Sequence, residues 1–157
     1  MQALEEQLPE GALVVIDTAP VVYVLEQRPV FAAYYQGLFK AAEDGRIQIA
    51  LSALTVTEVL TGPLKAGKRT LANALRSALA AYDVVPVNET IAALAAELRA
   101  DHALRLPDAC QLATAIHLTA DAFVTHDADF GRIQGIRILT APAATPSNSP
   151  KPQAKRR

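Results

Sequence analysis

The chain has 157 residues, 51% apolar and 20% charged, the composition of one globular domain with enough chain for a buried core. No apolar run approaches the ~18 residues of a membrane-spanning helix, and a single cysteine, Cys110, excludes an internal disulfide and fits a reducing compartment. The net charge of −1 is unevenly spread: residues 1–140 carry 11 Lys/Arg against 16 Asp/Glu, a balance of −5, so the body is not a general cationic nucleic-acid binder.

Residues 1–11 hold Glu5, Glu6 and Glu10 and lack the basic start and apolar stretch of a secretory signal. They read as an N-terminal extension, and a cytoplasmic location is expected. Residues 12–16 (ALVVI) are a β-branched run that predicts a buried strand. Asp17-Thr18 follows with Pro20 close behind, a helix-start signal. This helix is expected to run to about Gln27 and to end at Pro29. A second helix is expected over residues 30–43, where Phe31, Tyr34, Tyr35, Leu38 and Phe39 recur at helical spacing. Asp44-Gly45 turns the chain into a second strand, residues 47–51 (IQIAL).

Ser52 caps a helix carrying Leu54, Val56, Glu58, Val59 and Leu60, which is expected to break at Gly62-Pro63. Residues 67–81 are rich in Ala and Leu and read as helix. Residues 84–87 (VVPV) read as a short strand, placed at an edge or a bulge by Pro86. Asn88 caps the next helix, with Ile91, Leu94, Ala95 and Leu98 on one face. Pro107-Asp108 opens another, with Ala109, Leu112, Ala113 and Ile116 as its apolar face. Residues 122–125 predict a strand, 127–130 a turn or short helix, and 136–139 a last strand. From Ala141 onward Pro, Ala, Ser, Asn and Lys dominate, and residues 141–157 read as a disordered basic tail. The alternation implies an α/β domain over residues 12–140: a mainly parallel sheet of four to five strands with helices on both faces.

Four carboxylates stand where strands end or helices begin: Asp17, Glu58, Asp108 and Asp127. In an open parallel sheet ligands bind outside the carboxyl ends of the strands. Acids gathered there from distant segments repel each other unless a cation holds them, and a divalent ion held by carboxylates points to phosphate chemistry. Each acid also has a local reading. Asp17 caps a helix, Glu58 faces solvent, Asp108 complements a helix N-terminus, and Asp127 with Asp129 makes a polar turn. Convergence at one end of the sheet is the expectation that decides between the two readings.

The stretches VVIDTAPVVYVLE (14–26), SALTVTEVLTGPLKAG (52–67), LRLPDACQLATAI (104–116) and AFVTHDADF (122–130) resemble the PIN-domain family. Within it they are similar to the VapC-type toxin ribonucleases of bacterial toxin–antitoxin pairs. The resemblance covers about residues 12–140. It implies a three-layer α/β/α fold, an Mg²⁺- or Mn²⁺-dependent endoribonuclease, a small antitoxin partner and a homodimer. Asp17, Glu58, Asp108 and Asp127 match the family's acidic positions, with Asp17, Asp108 and Asp127 as metal ligands and Glu58 placing a water or a second ion. Asp129 is the alternative fourth acid, and Thr18 and Thr125 match supporting hydroxyls. The ten or so residues before the first strand and the basic tail depart from the usual pattern.

Lys65, Lys68, Arg69 and Arg105 are candidates for RNA phosphate contacts, with solvated helix ends as the plain reading. His126, beside Asp127, is read as a solvent-facing loop residue, with donation to substrate as the alternative, and Cys110 as core. The tyrosines Tyr23, Tyr34 and Tyr35 are read as packing residues rather than base-stacking ones. Two other functions compete. One is a catalytically silent PIN-like scaffold that binds RNA or protein, which the complete acidic set opposes. The other is a small-molecule phosphatase built on Asp17-Thr18, which would want an acid where Ala19 stands.

Overall fold

Residues 2–142 are described by a computed structural model; from residue 143 on, the expected tail lies outside them. In chain order the elements are β1 (Leu13–Ile16), α1 (Thr18–Leu25), α2 (Phe31–Glu43), β2 (Gln48–Ser52), α3 (Ala53–Lys65), α4 (Arg69–Leu79), β3 (Asp83–Val85), α5 (Glu89–His102), α6 (Leu106–His117), β4 (Ala122–Thr125) and β5 (Ile138–Thr140). A 3-10 turn at Glu5–Gln7 precedes β1, and another at Ala128–Arg132 links β4 to β5. Among the described residues no helix is long and apolar enough to cross a membrane.

The five strands form one sheet in the order β3-β2-β1-β4-β5, and every neighbouring pair is parallel. The first strand in sequence is therefore the middle one in space, with β2 and β4 on its flanks. Val14 pairs with Ile49 on one side and Ala122 on the other; Val15 pairs with Ala50 and Phe123. Successive side chains point to opposite faces. Val14, Ile16, Ile49, Leu51 and Val124 join a core cluster with residues of α1 to α4, while Val15, Ala50 and Phe123 join another with α5 and α6. Helices thus cover both faces, which is why the central strands read as continuous apolar runs. Each fully buried Val or Ile contributes about 1.5–3 kcal/mol relative to exposure. The third strand is at an edge, as expected, but it covers Asp83–Val85 and stops before Pro86.

Asp121 shows how an acid can serve structure alone. At the amino end of β4 its Oδ2 accepts from the Leu13 N–H at 2.8 Å, and its own N–H donates to the Leu13 carbonyl at 2.8 Å.

One expected break is absent. Helix α3 runs through Gly62-Pro63 and ends at Lys65. Its stop signal is Gly67, in the left-handed region at φ +71°. There the Gly67 N–H donates to the Leu64 carbonyl (3.0 Å) and the Lys68 N–H to the Pro63 carbonyl (2.9 Å), the paired bonds of a Schellman terminus. Pro63 lies in the last turn, so its missing N–H removes a single helical bond near the end of the helix. The next helix accordingly starts at Arg69 rather than at residue 67.

The segment before β1 packs onto the domain. Leu4 and Leu8 are buried in the α1–α4 face of the core. The Arg46 guanidinium donates to the carbonyls of Glu5 (2.6 Å) and Leu8 (3.4 Å), and Arg137 donates to that of Gln7 (2.8 Å).

Candidate active site

Asp17 immediately follows the central strand and caps α1. Its backbone N–H donates to the Val124 carbonyl at 2.8 Å, which carries the β1–β4 ladder one residue past the strand. One carboxylate oxygen, Oδ1, accepts the Thr18 N–H at 2.7 Å, and Oδ2 accepts the Thr125 hydroxyl at 2.7 Å. The side chain is buried. That burial pushes its pKa from 3.8 up to about 6; the bonds from Thr125 and Thr18 pull it down, and the nearby Asp108 and Glu58 charges push it up.

Glu58 projects from the second turn of α3. Its Oε1 accepts from the Gln111 Nε2 at 2.6 Å and from the Thr18 hydroxyl at 3.0 Å. Gln111 is fully buried on α6, and its other bonds go to Thr18: Nε2 donates to Thr18 Oγ1 at 3.0 Å, and Oε1 accepts the Thr18 N–H at 3.2 Å. Asp108 sits in the first turn of α6, one turn before Gln111. It accepts from Arg105, Nε to Oδ2 at 3.0 Å and a second guanidinium nitrogen to Oδ1 at 3.3 Å. Beyond β4, the Asp127 N–H donates to Thr125 Oγ1 at 3.1 Å, and Asp127 Oδ1 accepts the Asp129 N–H at 2.9 Å.

These pieces meet in one cleft of about 380 Å³ at the carboxyl end of the sheet. Asp17, Glu58, Asp108 and Asp127 all line it, together with Thr18, Arg105, Tyr23 and His126. Thr125 stands behind Asp17, buried. Asp129 is exposed and outside the lining; its backbone N–H is the donor that Asp127 accepts in capping the 3-10 turn. Lys65, Lys68 and Arg69 are exposed at the α3–α4 junction and do not line the cleft. Cys110 is buried, as is Tyr35.

His126 corrects the reading from sequence. It is half-buried rather than a solvent-facing loop residue. Its Nδ1 lies 2.6 Å from the Tyr35 hydroxyl, and its ring meets Tyr23, Phe31 and Tyr35 edge-on, with centroids 5.2, 5.3 and 5.8 Å away. Gln111 was not singled out at all, because a polar residue between apolar helix positions reads as surface. Its signal was the three-residue step from Asp108, which puts both on one helix face.

The donor set suits a hard divalent cation: four carboxylates with hydroxyls beside them, no sulfur, and one imidazole, His126, whose Nδ1 is engaged by the Tyr35 hydroxyl. Among the described residues no three His, Cys, Asp or Glu groups stand close enough to ligate one ion as they are. Two of the acids are engaged elsewhere: Asp108 pairs with Arg105, and Glu58 accepts from Gln111 on α6. A magnesium-sized ion keeps several waters and needs only two or three carboxylates, so the residues fit such an ion.

The profile of the PIN domain family matches residues 14–136. No curated protein sequence matches the chain significantly. Among solved structures, a toxin–antitoxin complex from Klebsiella pneumoniae aligns with 27% identity and a TM-score of 0.63, over 81% of this chain and 96% of that one. VapBC2 from Rickettsia felis, bound to a DNA fragment from its promoter, aligns with 20% identity and a TM-score of 0.68, over 83% and 99%. VapC20 from Mycobacterium tuberculosis, a sarcin–ricin loop-cleaving toxin, aligns with 15% identity and a TM-score of 0.62, over 75% and 92%. With the matched segment taking in the elements that carry the cleft, β1, α1, α3, α6, β4 and the turn after it, the chain belongs to the PIN-domain family.

Proposed function

We propose that this protein is a divalent-metal-dependent endoribonuclease and the toxin of a type II toxin–antitoxin pair, acting in the cytoplasm. The observation that carries the reading is the meeting of four acids from four distant segments in one cleft at the end of the central strands, with Asp17 buried and feeling the charges of Asp108 and Glu58. Family membership supports nuclease chemistry, and the Klebsiella pneumoniae toxin–antitoxin complex supports a small antitoxin as partner. The sarcin–ricin loop cleavage named for VapC20 supports RNA as substrate. Leu64 and Leu71, exposed on α3 and α4, supply apolar area for the antitoxin or for a second copy in a homodimer.

Asp17, Asp108 and Asp127 would hold Mg²⁺ or Mn²⁺. When bound, such an ion polarises the scissile phosphate and lowers the pKa of a coordinated water. Thr125 and the α1 N-terminus fix the direction of the Asp17 oxygens. Glu58 orients the attacking water or contributes to a second ion site. Arg105, paired with Asp108 and lining the cleft, is placed to exchange that carboxylate for a substrate phosphate. In-line attack of water leaves a 5′-phosphate and a 3′-hydroxyl.

The test is cleavage of a structured RNA by purified protein with Mg²⁺, with Mn²⁺ and with chelator. A small phosphomonoester serves as control, and the product ends are mapped. Metal-dependent cuts with 5′-phosphate ends, lost in Asp17→Asn, are expected. Wild-type-like cleavage by folded Asp17→Asn would overturn the assignment. Metal binding seen by calorimetry without any cleavage would favour the silent scaffold.

A further inference from the structure

We infer that Gln111 is the positioning residue of the cleft: a neutral, buried tether that aims Glu58 and locks it to the start of α1. The amide is completely enclosed, and both its donors are spent on the cleft, one on Glu58 Oε1 and one on Thr18 Oγ1. Its oxygen accepts the Thr18 N–H, which is shared with Asp17 Oδ1. One side chain therefore ties α6, α3 and α1 together at the point where their acids converge. The Thr18 hydroxyl has a single proton, and a carboxylate acceptor 3.0 Å away outcompetes the neutral Thr55 hydroxyl at 3.2 Å. Glu58 Oε1 thus receives two hydrogen bonds, and Oε2 has no partner among the described residues. Glu58 is exposed on an open helix face, where a free side chain would sample several rotamers.

The chemical type of the tether matters. A Lys or Arg in this place would hold Glu58 equally well but cancel the negative charge the cleft needs for a cation. An amide fixes one oxygen and leaves the charge intact. The consequence for catalysis rests on the nuclease reading above; the tether itself does not.

Two measurements test it. In ¹⁵N-labelled protein the side-chain amide pair of Gln111 is identified by its loss in Gln111→Met, a shape-matched variant. In Glu58→Ala, a change at an exposed position that leaves the core untouched, that pair is expected to shift and to lose protection from solvent exchange. Unchanged amide signals would overturn the tether. In RNA cleavage with Mn²⁺, Gln111→Met is expected to lower kcat by about 10–100-fold with KM little changed. The double variant Gln111→Met/Glu58→Gln is expected to be no slower than Glu58→Gln alone. Losses that multiply would show that Gln111 acts through packing and would overturn the positioning role. A wild type that cleaves no RNA would defeat the nuclease reading, and the amide signals would then decide the tether by themselves.

Discussion

Thr125 gives its hydroxyl proton to Asp17 Oδ2 and takes the Asp127 N–H on the same oxygen, so one buried side chain on β4 serves two acids of the cleft. The contact crosses the seam between two hydrogen-bonded parallel strands, where the register leaves little slack. Thr125→Val keeps the shape and removes both bonds. A buried group left unpaired costs about 1–3 kcal/mol, so a loss of that order is expected in urea denaturation at neutral pH. Cleavage should fall as well, because nothing else among the described residues holds Asp17 Oδ2. Unchanged stability and rate would contradict the arrangement.

Asp17 is held at a cost. Its carboxyl titrates at about 6 in the folded chain against an ordinary 3.8. Between those values the folded chain keeps a proton that the unfolded chain has released. Stability therefore falls as pH rises through this window, and the whole penalty, about 3 kcal/mol, is present above pH 6. Asp17→Asn removes the charge and keeps a good helix cap. The variant is expected to be inactive and more stable than wild type by about 1–3 kcal/mol near pH 7, with most of that gain gone near pH 4. Urea midpoints at the two pH values measure it, and a destabilised variant at neutral pH would refute it.

The same titration sets the pH range for metal binding. An ion must displace the proton on Asp17, so affinity should fall by about tenfold for each pH unit below about 6 and level off above it. Calorimetric titration with Mn²⁺ across that range checks the slope. Affinity that does not vary between pH 5 and 7 would remove Asp17 from the ligand set.

Arg105 and the basic residues of the α3–α4 junction should behave differently. Arg105 lines the cleft and pairs with Asp108, while Lys65, Lys68 and Arg69 stand outside the lining. The Arg105 side chain is largely exposed, so Arg105→Ala should change stability by no more than about 0.5 kcal/mol. It is expected to tighten metal binding, by freeing Asp108, and to raise KM for RNA with a salt dependence shallower by about one phosphate contact. Alanine at Lys65, Lys68 and Arg69 together should leave kcat on a short RNA unchanged. Competing behaviour, with the triple variant losing kcat and Arg105→Ala neutral, would relocate the substrate path.

Much of this architecture could be read from sequence, for physical reasons that differ by element. The strand over residues 122–125 has the bounds predicted, because a short run of three apolar residues and a β-branched Thr between polar neighbours reads as a buried strand. The Asp17 and Asn88 caps are local hydrogen bonds, so their signals are local too. At Gly62-Pro63 the propensity rule misled, since the helix end is set by the backbone conformation of Gly67 five residues after Gly62. The acids were visible one by one, but their meeting depends on β1 lying between β2 and β4, and strand order is not a local property. Gln111 and His126 were missed or misread because their partners, Glu58 and Tyr35, lie 53 and 91 residues away in the chain.

Helix α6 has a last implication. Its first turn carries Asp108, the next carries Gln111, and every residue from Ala109 to Ala115 is buried. The segment that presents the chemistry is the same one that fills the space beneath the sheet. Warming the protein should then offer no temperature at which the cleft has come apart while the rest stands: loss of cleavage and loss of tertiary signal should run along a single curve. Substitutions chosen to retune this helix for a new substrate must also satisfy the interior, which confines such retuning to Arg105 at its start and the loops across the cleft.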